Sequence, residues 1–430
     1  MKIWYKFLFL SVFVLAFTGC GKDEVEDEEQ EQEQEQEQEQ DEPTDPPYHS
    51  LDMKTDDGKV TQLQKHKVGK GIPIVITGDG FVDKDIRERK FREATNNTLD
   101  VLFSAHPMKA LRDYFDVYEV TAVSYNDFSR LDAILDSTNF KTAFNVDVTI
   151  NVDPYMTLFE VNPDGEDEQK VVRYAEKAID GNRLDDATII VLVNNDFGGG
   201  FCSHWSVHFK DSDIPTGCSV AYVSLNDMNA NEAKDYYDDI SQYQFGRTLL
   251  HEFGHAFAKL ADEYVSDERK WDDPESGKKS IIVWHNSGYD RNVSPYSDVT
   301  KTPWADFAAD SRYDFEKLGC YEGGEYQATG VYRATENSIM RAGMFNHYGF
   351  NVIARVMFYK RCMNIAYGDS WTFDYEDFVK FDLDKAKAES EEIQELIRRL
   401  SSGNSASKRL GAAPRFVDSV IRSRAIKTTK

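Results

Sequence analysis

The stretch from Phe245 to Leu260 constrains this chain more than any other. Phe245, Leu249, Leu250, Phe253, Phe257 and Leu260 recur mostly at spacings of three and four, the pattern of a helix with an apolar face. Set into the same helix are His251 and His255. Four residues apart, they lie on one side of it, about 6 Å from each other along the axis. Two imidazoles so placed can converge on one Zn²⁺ ion. Glu252 stands beside the first and can take a proton from metal-bound water and pass it to a leaving amine. Two surface histidines on an ordinary helix are the plain alternative, but the flanking residues are apolar and small. Gly254 lowers helix stability by roughly 1 kcal/mol relative to Ala, which predicts that something approaches the helix closely there.

A zinc site that keeps a catalytic water needs a third protein ligand. Asp262 follows in Leu260-Ala261-Asp262-Glu263-Tyr264. On a straight helix it would lie about 10 Å beyond His255. It joins the site only if the helix ends near Lys259 and the chain turns back. A glycine would make that turn easy, and the residue here is lysine.

His251-Glu252-Phe253-Gly254-His255 followed by Leu260-Ala261-Asp262-Glu263-Tyr264 resembles the active-site segment of the immunoglobulin A metallo-endopeptidase family of zincin peptidases. Ile74-Val75-Ile76-Thr77-Gly78-Asp79-Gly80-Phe81 resembles the family's first strand and Asp113-Tyr114-Phe115-Asp116-Val117-Tyr118 its second. Asn292-Val293-Ser294, Tyr321-Glu322-Gly323-Gly324-Glu325-Tyr326 and Gly330-Val331-Tyr332-Arg333 are similar as well, and Ser338-Ile339-Met340-Arg341 resembles the methionine turn of metzincin-like folds. The likeness runs roughly from Ile72 to Asn364. On this resemblance the family's separate N-terminal accessory domain is expected to be missing, with the acidic spacer in its place.

The resemblance implies a zincin-like catalytic domain, a mixed sheet with an active-site helix. It implies His251 and His255 as ligands of Zn²⁺ and Glu252 as the catalytic base. Asp262 is the first choice for third ligand, with Glu263, Asp298 and Glu322 as alternatives. Met340 would pack beneath the imidazoles. Tyr264 would either donate to the tetrahedral intermediate or simply pack. His204, His208, His285 and His347 are weaker candidates; His204 and His208 are also four apart, but no Glu follows the first. The reaction implied is hydrolysis of a protein or peptide, with Thr188 to Val193 or Ser219 to Leu225 as the rim along which an extended substrate pairs. The family name points to immunoglobulin, but a fold does not fix a substrate. The rival readings are a surface module that binds a host protein or glycan, and a zinc hydrolase acting on non-peptide amides.

The remaining chain is read around that helix. With 40% hydrophobic residues there is ample material for a core. Ile72 to Thr77, Phe115 to Val123, Thr188 to Val193 and Ser219 to Leu225 read as strands, Asp83 to Phe103 and Gln169 to Ile179 as helices. Strands alternating with helices predict an α/β or α+β domain. The net charge of −26 is unevenly placed, since fourteen Asp and Glu lie between Asp23 and Asp45 with no Lys or Arg among them. Acidity of this degree argues against nucleic acid as a partner. Lys2 and Lys6 precede the apolar run Phe7 to Phe17, which is too short to span a bilayer and suits an export signal. Thr18-Gly19-Cys20 then resembles a bacterial lipoprotein processing site, which makes Cys20 the lipidated first residue. Lys22-Asp23-Glu24 resembles a short surface-export signal. Four segments follow: a signal over 1–19, the lipidated cysteine and a disordered acidic spacer over 20–50, the peptidase domain over 51–380, and a charged helix with a loose tail over 381–430. A monomeric, surface-exposed outer-membrane lipoprotein is expected. Cys202, Cys218, Cys320 and Cys362 allow three disulfide pairings, among them a small Cys202–Cys218 loop, or remain free.

Overall fold

The computed structural model describes residues 48–127, 141–150, 157–161, 166–195, 199–225, 240–266, 271–341, 349–402 and 424–425. The readings of the signal segment, Cys20, the spacer, His347 and most of the tail fall outside these residues. In chain order the strands are β1 (Val60–Gln64), β2 (Ile72–Asp79), β3 (Phe115–Val120), β4 (Val146–Ile150), β5 (Thr157–Val161) and β6 (Thr188–Val193). They continue with β7 (Gly200–His204), β8 (Ser219–Ser224), β9 (Val293–Ser294), β10 (Tyr321–Gly324), β11 (Gln327–Arg333) and β12 (Arg424–Ala425). The helices are α1 (Asp83–Arg87), α2 (Lys90–Leu102), α3 (Met108–Leu111), α4 (Glu166–Ala175), α5 (Ile240–Ala258), α6 (Pro274–His285), α7 (Ala305–Ala309), α8 (Val352–Tyr367) and α9 (Tyr375–Ser402).

A mixed sheet of order β1-β3-β2-β6-β8-β7-β12 runs through the centre. β3, β2, β6 and β8 are parallel, while β1 runs antiparallel to β3 and β7 antiparallel to β8, with β12 parallel to β7. The continuous apolar runs of β2 and β6 follow from burial on both faces. Ile72, Ile74, Ile76, Ile190 and Leu192 point into a core shared with α2, α5, α8 and α9. Val75, Ile189, Val191 and Val193 point the other way, into a core with α4. A second, three-stranded sheet of order β10-β11-β9 carries the segments around Asn292, Tyr321 and Tyr332. The mixed α/β architecture agrees with the alternation of strands and helices in the sequence.

Two expected elements differ most in extent. The helix expected over Asp83 to Phe103 is split at Arg89, whose φ of 69° ends regular winding. The sequence carries the reason: Ile86 and Phe91 are five apart, a spacing that one helix face does not accommodate. The charged C-terminal helix begins at Tyr375, so the boundary expected at 380 falls inside it. Phe378, Asp382 and Ala386 from this helix are buried, which ties it to the domain. The four cysteines are free thiols. Cys202 lies on the α5 side of the sheet and Cys218 in the opposite core, so no small loop is closed between them. No described helix is long and apolar enough to cross a membrane.

Candidate metal centre

α5 presents the histidines because its other faces are fully engaged. Phe245, Leu249, Leu250, Phe253 and Phe257 are buried, and Phe253 stacks on Phe257 with ring centres 5.5 Å apart. Gly254 is where Met340 comes in: a Cβ there would lie 2.9 Å from the Met340 sulfur. The close approach expected from that glycine is made by the Met340 side chain.

The helix ends at Ala258 and Lys259 takes a left-handed conformation, φ 55°. The Leu260 N–H reaches back to the Gly254 carbonyl at 3.3 Å. A lysine fills the position that suits glycine, and its side chain is held inside. The amine donates to the Ser219 hydroxyl and, at 2.9 Å, to the Ala256 carbonyl. Burial, reinforced by nearby Arg361, holds the Lys259 amine well below the usual lysine range. After the turn, Asn292 pairs with Ala261 as a backbone strand would, giving and receiving one bond of 2.8 Å each. This is what carries Asp262 back to the helix.

His251 Nε2, His255 Nε2 and Asp262 Oδ1 form a triangle with sides of 3.1 Å. Each histidine donates from Nδ1 to a carbonyl, His251 to Ile339 at 3.0 Å and His255 to Leu260 at 2.5 Å. Those bonds leave both Nε2 lone pairs aimed into the gap that Asp262 also faces. Three acceptors meeting in a buried space repel one another unless a cation lies among them. Bonds of 2.0–2.1 Å to zinc place tetrahedral ligands roughly 3.3 Å apart, so this donor set fits that ion. A proton can play a similar part. Burial pushes the His255 imidazole down, but the Asp262 carboxylate outweighs it and raises His255 to about 9. Burial also works to raise Asp262, yet the two imidazoles hold it below the usual carboxylate range. His251 is lowered, chiefly by burial.

Glu252 is fully buried, and neither of its carboxylate oxygens has a hydrogen-bond partner among the described residues. Burial pushes its carboxyl up to about 8. A carboxyl poised near neutrality both accepts and returns a proton efficiently. β7 lies over it so closely that a Cβ at Gly200 would come within 2.8 Å of Glu252 Cγ.

The other candidates are engaged elsewhere. Glu263 is buried and accepts from Ser338 at 2.6 Å, Asn292 at 3.0 Å and Asn351 at 3.4 Å. It thereby joins the Asp262 segment to the Ser338–Met340 segment and to the start of α8. Asp298 caps a short turn through Thr300, and Glu322 accepts from the Gly330 N–H. Tyr264 is half-buried, its ring 6.5 Å from that of His251. His204 Nδ1 is bonded to the Ser219 hydroxyl, His208 pairs with Asp185, and His285 Nε2 donates to the Asp290 carbonyl. The substrate rim expected at Thr188–Val193 or Ser219–Leu225 is not available, because β6 and β8 are paired on both sides. The strand beside Glu252 is β7. Its Gly200–Cys202 portion has no strand on its outer side among the described residues. The supporting residues Asn292, Ser338, Asn351 and Tyr326 were not assigned roles from sequence. Asn292, Ser338 and Tyr326 sit in segments similar to the family, and that was their only signal; Asn351 sits in none of them.

A family model described as IgA Peptidase M64 matches residues 62–314, well over half of the chain. The match takes in α5, Asp262 and Asn292 and stops short of Tyr326 and Met340. No curated protein matches the chain.

Proposed function

The chain belongs to the IgA Peptidase M64 family of metallopeptidases, and from that premise we propose that it is a zinc-dependent endopeptidase with a zincin-like catalytic domain. The observation that carries the proposal is Glu252: a buried carboxylate without a partner among the described residues, beside three donors that converge. Leaving such a group unsatisfied is costly, which is understandable where water and substrate are its partners.

In this reading His251, His255 and Asp262 hold Zn²⁺. The bound ion would polarise the scissile carbonyl and lower the pKa of water to about 7. Glu252 takes the proton released by that water and delivers it to the leaving nitrogen. The outer edge of Gly200–Cys202 offers backbone groups to an extended substrate, and it runs directly over Glu252. The substrate is a protein or peptide, immunoglobulin being one candidate. Lipidation of Cys20 would hold the enzyme at the cell surface, with the acidic run as a spacer kept extended by like charges.

Glu252→Ala is expected to lower turnover at least about 10²-fold while bound zinc, measured by atomic absorption, stays at the wild-type level. Turnover close to wild type would remove Glu252 as the base. Chelation should abolish cleavage of denatured casein, with zinc restoring it. A zinc-loaded protein that cleaves no protein would favour the binding module instead.

A further inference from the structure

The β10–β11 hairpin closes in two residues. Gly324 pairs with Gln327, and between them Glu325 and Tyr326 both take positive φ, 46° and 64°. Turns of this shape ordinarily use Asn and Gly, because an L side chain is crowded there. A crowded residue kept in such a place points to something its side chain does.

The tip of the hairpin lies on the segment that carries Asp262. The Glu325 N–H donates to the Asp262 carbonyl at 2.8 Å, the Tyr326 N–H to the Tyr264 carbonyl at 3.0 Å, and the Ser266 N–H to the Tyr326 carbonyl at 3.0 Å. These three bonds fix the tyrosine against the site. Its phenol then donates to Asp262 Oδ2 at 2.5 Å. Arg333 braces the hairpin from within, donating to the carbonyls of Glu322 and Gly323 at 2.6 and 2.9 Å. The two oxygens of Asp262 thus face different ways: Oδ1 toward both imidazoles, Oδ2 toward the phenol.

We propose that Tyr326 is a positioning residue of the metal centre, its phenol occupying Asp262 Oδ2 so that Oδ1 alone is turned toward the ion. The inference rests on the zinc reading above. A carboxylate with both oxygens free can rotate and bind through either or both; the phenol removes that freedom. It also explains why a tyrosine is kept where glycine would be easier, since glycine carries no donor.

The test is the zinc affinity of the apoprotein, measured by competition with a chromophoric chelator. Tyr326→Phe keeps the ring and removes only the hydroxyl. It is expected to weaken zinc binding about 10- to 100-fold, the usual effect of losing an outer partner of a ligand, with the melting temperature of the apoprotein close to wild type. In an Asp262→Ala background the same substitution should change affinity by less than about twofold, because the phenol acts through that carboxylate. Equal affinity of wild type and Tyr326→Phe would overturn the proposal and leave the zinc reading standing. A loss that persists without Asp262 would overturn it too, whatever the melting temperature, by assigning Tyr326 to general support of the fold. A wild-type protein that takes up no zinc would end both readings together.

Discussion

A side chain at position 200 would have nowhere to go. Its Cβ would come within 2.8 Å of Glu252 Cγ, Thr248 Cγ2 and the Tyr222 carbonyl oxygen, the last of these part of the rigid sheet. Gly200→Ala is therefore expected to lower stability by about 1–3 kcal/mol, as overpacking does, and to lower kcat by displacing Glu252. Denaturant midpoints and initial rates check this, and a variant normal in both would mean that β7 stands further from α5. At this scale the sequence was most legible where chemistry is local. The histidine pair and Glu252 are set by helix spacing alone. Asp262 lies close in sequence, but its return to the helix depends on Lys259 adopting a conformation that lysine rarely takes. The residues that hold the centre were not legible, because their partners are far away: Asn292 meets Glu263 across 29 residues, Tyr326 meets Asp262 across 64 and Asn351 meets Glu263 across 88.

Whole elements were legible when burial was uniform and illegible when it was mixed. β6 has its expected limits because all six of its residues are buried. α9 begins earlier than its charge pattern suggests because one polar residue anchors it. Asp382 lies buried between Arg355 Nε at 2.7 Å and His106 Nε2 at 2.7 Å, with the Tyr313 hydroxyl at 3.2 Å. A sequence reading takes an aspartate for a solvent-facing residue, and only the tertiary partners reverse that. Removing one partner of a buried ion pair typically costs about 3–5 kcal/mol, and Asp382→Asn is expected to fall in that range. The pH dependence has a definite sign. Burial tends to raise Asp382, but Arg355 and His106 hold it well below the usual carboxylate range. Its contribution is present above about pH 4, the unfolded value, and is lost as pH falls toward the lower folded value. Burial lowers His106 despite Asp382, so erosion begins already below about pH 6.5. Melting temperatures should fall on acidification in two stages. The lower stage should be smaller in Asp382→Asn, and an unchanged lower stage there would locate the acid-sensitive group elsewhere.

For the molecule as a whole, the proposed arrangement is a catalytic domain tethered through its N-terminus. Cys20→Ser is expected to move most of the protein from the membrane fraction to the soluble fraction while leaving peptidase activity per molecule unchanged. Retention on the membrane would point to a different anchor. Composition bounded this level only loosely, since it located the acidic run and argued against nucleic acid but did not identify a substrate. One feature of the centre bears on that question. His251, His255 and Asp262 all belong to a single run of twelve residues, folded back by one turn at Lys259. The donor set is thus a compact cassette, and only loops that do not carry its supports Asn292, Tyr326, Ser338 and Asn351 can lengthen, shorten or be exchanged without disturbing it. A designer could reshape the surface around β7 on the same terms, leaving the twelve residues that bring the three donors together as they are.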